Sequence, residues 1–505
     1  MKAAVKLLTA AAALLGAATV AGAATAAPAA EIASHPRDLK YAPLTFEVPK
    51  VDKYRFKLKN GLSAWIAEDF TLPLVNVSIK IRAGQFLAPD RPGLAGMTGS
   101  LMRKGGAGDL TAEQFDERAD FLAAEIGSSA GETEAGVSMN CIVPQLDACL
   151  DLMFAMLRSP RFQEDRIKVE KDQILESMKQ RNDDAQTILS REWGWLMYGE
   201  SAFSSRKATK SELEAITRDD LVAFHKQWWR PEPGNMIVSV SGAVKAQEII
   251  ARLDQRFAGW KPAGPKVPWP PALPPHAVKP GLYHVEKDIP QAKVLIGHRT
   301  IQWDPKWENP DAYALQVMND ILGGGGFTSR ITKRVRSDEG LAYSAGSSLG
   351  IGNYWPGSFS AFFQTKNPTV AYASKIALDE VASVQEKGVT ADELATSRNQ
   401  FVETFPQNFE SPADIVGIFA SDEYIGRPHG YWQNYRAAIG KVTSADVQRV
   451  AKQYLKPSEM AFLVVGKWAE IEKGDPDGRA SMKQFFGGNV TKLPLRDPLT
   501  LKPLP

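Results

Sequence analysis

Histidine and cysteine, the side chains that bind transition metals most readily, are scarce in this chain. The 505 residues include six histidines and two cysteines. Cys141 and Cys149 match no zinc-binding spacing, and we expect buried thiols, with a single disulfide as the alternative. No two histidines stand at the spacing of a helical ligand pair; they are His35, His225, His276, His284, His298 and His429. A cysteine-based metal centre is therefore excluded, and His225 and His298 are expected to be structural.

An excess of charge of either sign is also missing. The formal net charge is +2, and Lys2 and Lys6 at the N-terminal end account for both charges. A near-neutral chain has no general attraction for nucleic acid or for an anionic membrane, so neither is expected as a partner. The content of 44% hydrophobic and 23% charged residues is that of a soluble globular protein. Because the length exceeds one ordinary hydrophobic core, the sequence predicts more than one domain.

The first thirty residues, "MKAAVKLLTAAAALLGAATVAGAATAAPAA", combine a short positive start, an Ala/Leu stretch and small residues near Ala23, Ala26 and Ala30. This pattern predicts a secretory signal peptide over residues 1–30. An uncleaved membrane anchor is the alternative. The first arginine is Arg37, which argues against a mitochondrial transit peptide. We therefore expect an exported, periplasmic protein with no membrane contact after signal cleavage.

The remaining chain is an internal duplicate. Residues 260–283, "WKPAGPKVPWPPALPPHAVKPGLY", hold eight prolines and predict a semi-rigid linker. On either side, "AITRDDLVAFHKQWWRPEPGNMIVSVSGAV" matches "GKVTSADVQRVAKQYLKPSEMAFLVVGKW" in order and element type. One offset of 226 relates three pairs of residues: Thr217 and Thr443, Asp220 and Asp446, Pro231 and Pro457. The predicted domains are residues 31–259 and 284–490, followed by a tail over 491–505.

Each half alternates Val/Ile-rich strands with long amphipathic helices. "SAWIAEDF" and "GVSMNCIV" are typical of strands, and "DACLDLMFAMLRS" is typical of a helix. The pattern predicts the α+β class, with one mostly antiparallel sheet in each half and helices packed on one face of it. The two halves are expected to face each other, and the space between them is the default place for a ligand.

One predicted helix has an unusual composition. In "GLAGMTGSLMRKGG", residues 93–106, Leu94, Met97 and Leu101 lie on one face, yet Gly96 and Gly99 interrupt the helix. Each interior glycine costs about 1 kcal/mol relative to alanine. The local explanation is close helix packing, which small side chains permit.

Several motifs in this order resemble the M16 (pitrilysin and insulinase-like) metallopeptidases, whose domains face each other like a clamshell. The resemblance covers nearly all of residues 52–470. It rests on "LKNGLSAWIAEDFTLPLVNVSIKIRAGQFLAPDRPGLAGMTGSLMRKGG", "GSSAGETEAGVSMNCIVPQLDACLDLM", "KATKSELEAIT" and "GGGGFTSRITKRVRSDEGLAYSAGSS".

The resemblance implies that the helix at residues 93–106 matches an H-x-x-E-H helix, in which two histidines bind zinc and the glutamate is the general base. Here the matching residues are Gly96, Gly99 and Ser100, and Ser177 matches the third ligand, a glutamate. Glu170 matches an accompanying acidic residue, and a register shift of one would bring Glu176 to the position of Ser177. Glycine has no donor atom and serine is a poor zinc ligand, so no metal is expected in this chain.

The substrate-side motifs are retained. Arg336 and Tyr343 match the Arg and Tyr that the C-terminal half of the family contributes to its active site; an ion pair and strand packing are the structural alternatives. Gly324 and Gly325 lie in "GGGGF", interpreted as a flexible helix end that lets the backbone approach substrate; the run lacks the ending of a phosphate loop. The family also implies that Ser129 and Ala130 belong to an edge strand that pairs with an extended peptide.

These features predict the zinc-less subunit of a heterodimeric M16 peptidase similar to the mitochondrial processing peptidase. Its partner would be a homologue that carries H-x-x-E-H and the zinc, and its substrate would be an unfolded peptide. On this hypothesis the chain is inactive alone. The alternatives are a pseudopeptidase that binds peptides without cleaving them and a structural subunit like the core proteins of respiratory complexes.

Overall fold

The computed structural model describes His35, Leu39, residues 45–262 and residues 264–504. The predicted signal peptide lies outside these residues. The described part contains two sheets of six strands each, with helices inserted between the strands in both.

The first repeat begins with short strands and then alternates helices with strands. Its strands are β1 (Arg55–Lys57), β2 (Ser63–Glu68), β3 (Leu74–Ile81), β4 (Glu125–Ala130), β5 (Ala135–Ile142) and β6 (Met236–Gly242). Its helices are α1 (Leu94–Lys104), α2 (Ala112–Phe121), α3 (Leu146–Arg158), α4 (Glu164–Lys179), α5 (Ala185–Tyr198), α6 (Lys210–Glu214), α7 (Arg218–Trp228) and α8 (Ala246–Phe257).

The second repeat follows the same plan. Its strands are β7 (Gly281–Glu286), β8 (Gln291–Arg299), β9 (Ala342–Leu349), β10 (Ser358–Lys366), β11 (Ala461–Gly466) and β12 (Val490–Leu493). Its helices are α9 (Asp311–Asn319), α10 (Arg330–Thr332), α11 (Val370–Lys387), α12 (Ala391–Thr404), α13 (Pro412–Ile425), α14 (Tyr431–Lys441), α15 (Ser444–Tyr454) and α16 (Trp468–Ile471). Two π-helical turns lie at Asp320–Gly324 and Lys333–Asp338.

The strand orders confirm the duplication. The first sheet runs β1-β2-β6-β3-β5-β4 and the second runs β12-β7-β11-β8-β10-β9, so five successive positions correspond. Strand β6 is parallel to β2, and the corresponding strand β11 is parallel to β7. The other pairs among these five strands of each sheet are antiparallel. Thr217 and Thr443 begin α7 and α15, and each threonine forms a reciprocal cap with the aspartate three residues later.

The two repeats exchange a helix. Helix α13, from the second repeat, packs on β2 and β6 of the first sheet, where the Glu423 carboxylate accepts from Trp65 Nε1 at 3.0 Å. Helix α5, from the first repeat, packs on β11 and β8 of the second sheet. Strands β6 and β11 are consequently buried along their whole length, as expected for strands covered on both faces. The predicted α+β class and pair of sheets are confirmed, and the exchanged helices add cover to the second face of each sheet.

The segment between the repeats has no helix or strand over the described residues of 260–280. It still makes specific contacts: the Trp269 ring lies 3.8 Å from the Arg82 guanidinium carbon, and Tyr424 stacks on that guanidinium at 4.4 Å. After β12 the chain returns to the first repeat, where Arg181 donates to the Pro498 carbonyl at 3.1 Å. Among the residues that the structure describes, no helix has the length and apolar character needed to cross a membrane.

Candidate functional site

Helix α1 lies against β4, the outer strand of the first sheet. It begins after Gly93, whose φ of 93° favours glycine, and buries Leu94, Met97 and Leu101 as the sequence predicted. A Cβ atom at position 99 would lie 2.4 Å from the Ala130 amide nitrogen. No side chain fits there unless the β4 backbone moves, since that separation is shorter than real Cβ contacts.

Position 96, three residues earlier in the same helix, has more space for a side chain. A Cβ atom at Gly96 would meet only the Ala130 carbonyl oxygen, at 3.9 Å, which is an ordinary van der Waals contact. The Ser128 hydroxyl donates to the Gly99 carbonyl at 2.6 Å and fixes the helix on the strand. Gly99, which the resemblance matches with the general base, is therefore the glycine that the packing requires.

The residues that the resemblance places at or near the third zinc ligand lie on α4. Ser177 is exposed, and Glu176 pairs with Lys179 on the same helix. Glu170 is buried, and its carboxylate lies 2.8 Å from Lys104 Nζ at the end of α1. Glu170 thus joins α4 to α1 by a hydrogen-bonded ion pair.

The donor atoms of this region do not fit zinc. Gly96 and Gly99 carry no side-chain donor, and Ser100 and Ser177 carry hydroxyls, which are weak zinc ligands. No three or more His, Cys, Asp and Glu side chains within the described ranges are arranged to hold a metal ion. We therefore derive no chemical step through a metal in this chain.

The histidines and cysteines of the regular elements are structural. His225 Nε2 lies 2.9 Å from the Leu157 carbonyl oxygen, and burial lowers the pKa of His225 to about 4. His298 Nε2 accepts from the Lys456 amide at 3.2 Å. Cys141 and Cys149 are both buried free thiols, and burial raises the pKa of Cys141 to about 12. The expectations of structural histidines and of buried thiols are confirmed.

Ser129 and Ala130 lie at the end of β4, and no strand formed by the described residues pairs with its outer side. Part of this outer edge is used within the chain, because Arg103 Nε donates to the Ile126 carbonyl at 2.8 Å. The predicted edge strand is therefore present, and the expectation that it pairs with a peptide stays a prediction.

Arg336 lies in the second π-helical turn, and Tyr343 lies near the start of β9. The Arg336 guanidinium carbon is 4.4 Å from the centre of the Tyr343 ring and 4.5 Å from that of Phe327. Tyr343 is 83% exposed and Phe327 is 64% exposed. The structure thus brings Arg336 and Tyr343 into contact. The Arg336 guanidinium lies close to two exposed rings, those of Tyr343 and Phe327.

Neither alternative explanation of this pair fits the contacts. Arg336 forms no ion pair with any side chain that the structure describes, and the Tyr343 ring faces solvent rather than the core. The Arg336 guanidinium is therefore free to accept an anion or a carbonyl group as a ligand. Phe327 was not identified from the sequence, although an aromatic residue directly after a glycine run is a recognisable signal.

Gly324 and Gly325 lie where the first π-helical turn ends. Each is tightly packed, because a Cβ atom would lie 2.6 Å from Asn319 Nδ2 at position 324 and 2.8 Å from the Asp320 carbonyl at position 325. The neighbouring Gly323 contacts the outer strand β9, where its Cβ would lie 2.4 Å from the Ser347 amide. Gly323 and Gly325 therefore have a packing function, and the predicted contact of the run with substrate stays a prediction.

The metal-motif helix and the Arg/Tyr pair remain separate. No hydrogen bond, ion pair or ring contact among residues 45–262 and 264–504 joins Arg336 or Tyr343 to α1 or α4. A site made of both parts is therefore not assembled by these contacts.

Comparison with known proteins finds M16-like sequences. Residues 215–401 match the family model described as the Peptidase M16 inactive domain. The chain is 26% identical over 373 residues to an uncharacterized zinc protease of Mycobacterium leprae, covering 71% of this chain and 79% of that protein. It is 23% identical over 407 residues to the non-peptidase homolog YmxG of Helicobacter pylori, covering 79% and 90%.

Solved structures share the fold. The peptidase M16 inactive domain from Pseudomonas fluorescens aligns with a TM-score of 0.71 and 22% identity, covering 84% of this chain and 98% of that one. The periplasmic protease PqqL from Escherichia coli aligns with a TM-score of 0.71 and 14% identity, covering 88% and 49%. Residues 215–401 thus match the M16 domain described as inactive, and the solved structures share the fold of the chain.

Proposed function

We propose that this protein is the zinc-less subunit of an exported, periplasmic two-subunit M16 peptidase. The partner would be an M16 homologue that carries H-x-x-E-H and the zinc. This chain would supply Arg336 and Tyr343 to the shared active site, and the substrate would be an unfolded peptide.

The observation that carries the proposal is the state of Arg336. Its guanidinium is stacked between Phe327 and Tyr343 and has no carboxylate partner in the described part of the chain. A stacked guanidinium keeps its five N–H donors in a fixed plane, directed at whatever lies beside the rings. It suits a peptide carbonyl or carboxylate, and the nearby Tyr343 hydroxyl can donate to the oxyanion of a tetrahedral intermediate.

The test is reconstitution with an M16 homologue that carries H-x-x-E-H. We expect the mixture to cleave an unfolded peptide faster than the homologue alone. Arg336→Ala and Tyr343→Phe should each lower kcat of the mixture by about 10²-fold or more, because a donor to the transition state is lost. Arg334→Ala is the matched control, since Arg334 lies in the same turn but pairs with Glu380 at 3.4 Å. Equal rates for the mixture and the homologue would contradict the proposal.

A second candidate is peptide binding without cleavage. The unpaired outer side of β4 favours it, since an extended peptide can add to such an edge through its backbone. On this reading the isolated chain binds unfolded peptides, no zinc-bearing homologue copurifies with it, and Arg336→Ala weakens binding rather than turnover.

A further inference from the structure

A polar cavity of about 650 Å³ lies between the end of α4 and the start of α5. Its wall includes Ser177, the residue at the position of the third zinc ligand. Arg181, Arg191 and Lys207 also line it. Three cationic side chains thus surround a space beside the degenerate metal motif.

Arg191 is the residue that marks this cavity as a binding site. Its side chain is 3% exposed, Nε donates to Glu192 at 3.0 Å, and Nη1 donates to Asn182 at 3.3 Å. Nη2 is also buried, yet it has no hydrogen-bond partner among the described residues. An unsatisfied buried donor on a charged group is costly, and an acceptor bound in the cavity would satisfy it.

The helix end adds to this preference for an acceptor. Asp184 occupies the N-cap position of α5, but no side chain caps the helix. The first amide groups of a helix point outward and carry a partial positive charge, which favours a carboxylate or phosphate oxygen. Arg181 is half-buried, and burial together with the charge of Arg191 lowers the pKa of Arg181, so a bound anion would relieve the repulsion between them.

The acidic groups around the cavity limit what can bind. Asp183 and Asp184 also line it, and Glu192 balances the charge of Arg191 from behind. Arg496 pairs with Glu192 at 3.5 Å and with Glu200 at 2.8 Å. The two aspartates would repel a dianion or polyanion more strongly than a single carboxylate on an otherwise uncharged chain.

One residue of the cavity wall, Lys207, also interacts with the segment after the outer strand. Glu132 lies in the turn that follows β4, and burial raises its pKa while the charge of Lys207 lowers it. A chain extended along β4 past its last residue, Ala130, would therefore approach Lys207. We propose that this cavity binds the C-terminal carboxylate of a peptide; this inference rests on the proposed peptide-binding function.

The test compares two forms of one unfolded peptide, a free acid and its C-terminal amide, binding to the full chain in fluorescence anisotropy. We expect the free acid to bind at least tenfold more tightly, because the amide forfeits charge-assisted hydrogen bonds. Arg181→Gln and Lys207→Ala should reduce that difference, and both residues are accessible enough to change without unfolding the protein. Lys210→Ala is the control, since it removes an exposed lysine that pairs with Glu214 outside the cavity.

Two outcomes overturn the assignment. Equal affinity for the acid and the amide would refute the cavity's role while leaving peptide binding intact. Equal protection of the protein against heat by inorganic phosphate and by an N-acetylated amino acid would show a general anion site instead. If neither peptide binds, the proposed peptide-binding function fails. In that case thermal unfolding tests the cavity. The assignment holds if the N-acetylated amino acid raises the Tm, its amide does not, and Arg191→Gln abolishes the rise.

Discussion

Replacing Gly99 by alanine tests whether contact with β4 explains the glycine at this position of the helix. Alanine normally stabilises a helix interior by about 1 kcal/mol relative to glycine. At position 99, however, the added Cβ would lie 2.4 Å from the Ala130 nitrogen and 2.5 Å from the Ser129 carbonyl carbon. These are backbone atoms of β4, which cannot rotate away as a flexible side chain could.

The expected size follows from the two opposing effects. Inserting a methyl group into a fully packed site costs about 1–3 kcal/mol, and rigid neighbours place this site toward the upper end. Subtracting the gain of about 1 kcal/mol in helix propensity leaves a net loss of about 1–2 kcal/mol. At Gly96 the Cβ meets only one oxygen, at 3.9 Å, so Gly96→Ala should instead stabilise the protein by about 0.5–1 kcal/mol.

The assay is urea unfolding of the wild type and both variants, followed by circular dichroism. The two substitutions add the same methyl group to the same helix three residues apart, so they share any general effect on helix propensity. We expect opposite shifts of the unfolding midpoint. If Gly99→Ala proves as stable as Gly96→Ala, contact with β4 does not explain the glycine, and the packing argument fails.

Two further predictions concern the core and the second repeat. The pKa of His225 is about 4 in the folded chain against 6.5 for an ordinary histidine, so the unfolded chain binds more protons between these values. The unfolding free energy of the wild type should therefore fall by roughly 3 kcal/mol more than that of His225→Gln as pH drops from 7 to 4. Comparing the two proteins removes the opposite effect of Asp422, whose pKa burial raises to about 6. Gly323→Ala should cost about 1–2 kcal/mol in urea unfolding, because its Cβ would lie 2.4 Å from the Ser347 nitrogen, whereas Gly440→Ala in α14, with open space around it, should be neutral or stabilising.

The sequence predicts the repeats well because their signals are local. Alternating strands identify both sheets, and the Thr-capped helices at Thr217 and Thr443 align the two halves. Apolar spacing also identifies α1 despite its glycines. The exchange of α5 and α13 was not predictable in the same way, because an apolar helix face shows that a helix is buried but not which sheet covers it.

The two candidate sites differ in the same way, because one has a local sequence signal and the other does not. Arg336 and Tyr343 could be identified from a short motif, and the structure brings them into contact. The cavity around Arg191 could not, because its residues come from the end of one helix, the start of the next and a later loop. Charged residues on such segments look like ordinary solvent-exposed positions until folding buries one of them without a complete set of partners.

The two repeats share a close contact between a glycine and the outer strand of the sheet. Helix α1 follows β3, and helix α9 follows the corresponding strand β8. Gly99 of α1 lies against Ser129 and Ala130 of the outer strand β4. Gly323, just after α9, lies against Gly346 and Ser347 of the outer strand β9. Both repeats thus have a close contact of the same kind. Changing Gly96, Gly99 and Ser100 to ligand residues would not by itself recreate a metal site, because the β4 backbone already fills the space at position 99. The reconstitution experiment of the proposed function therefore tests whether another chain supplies the metal.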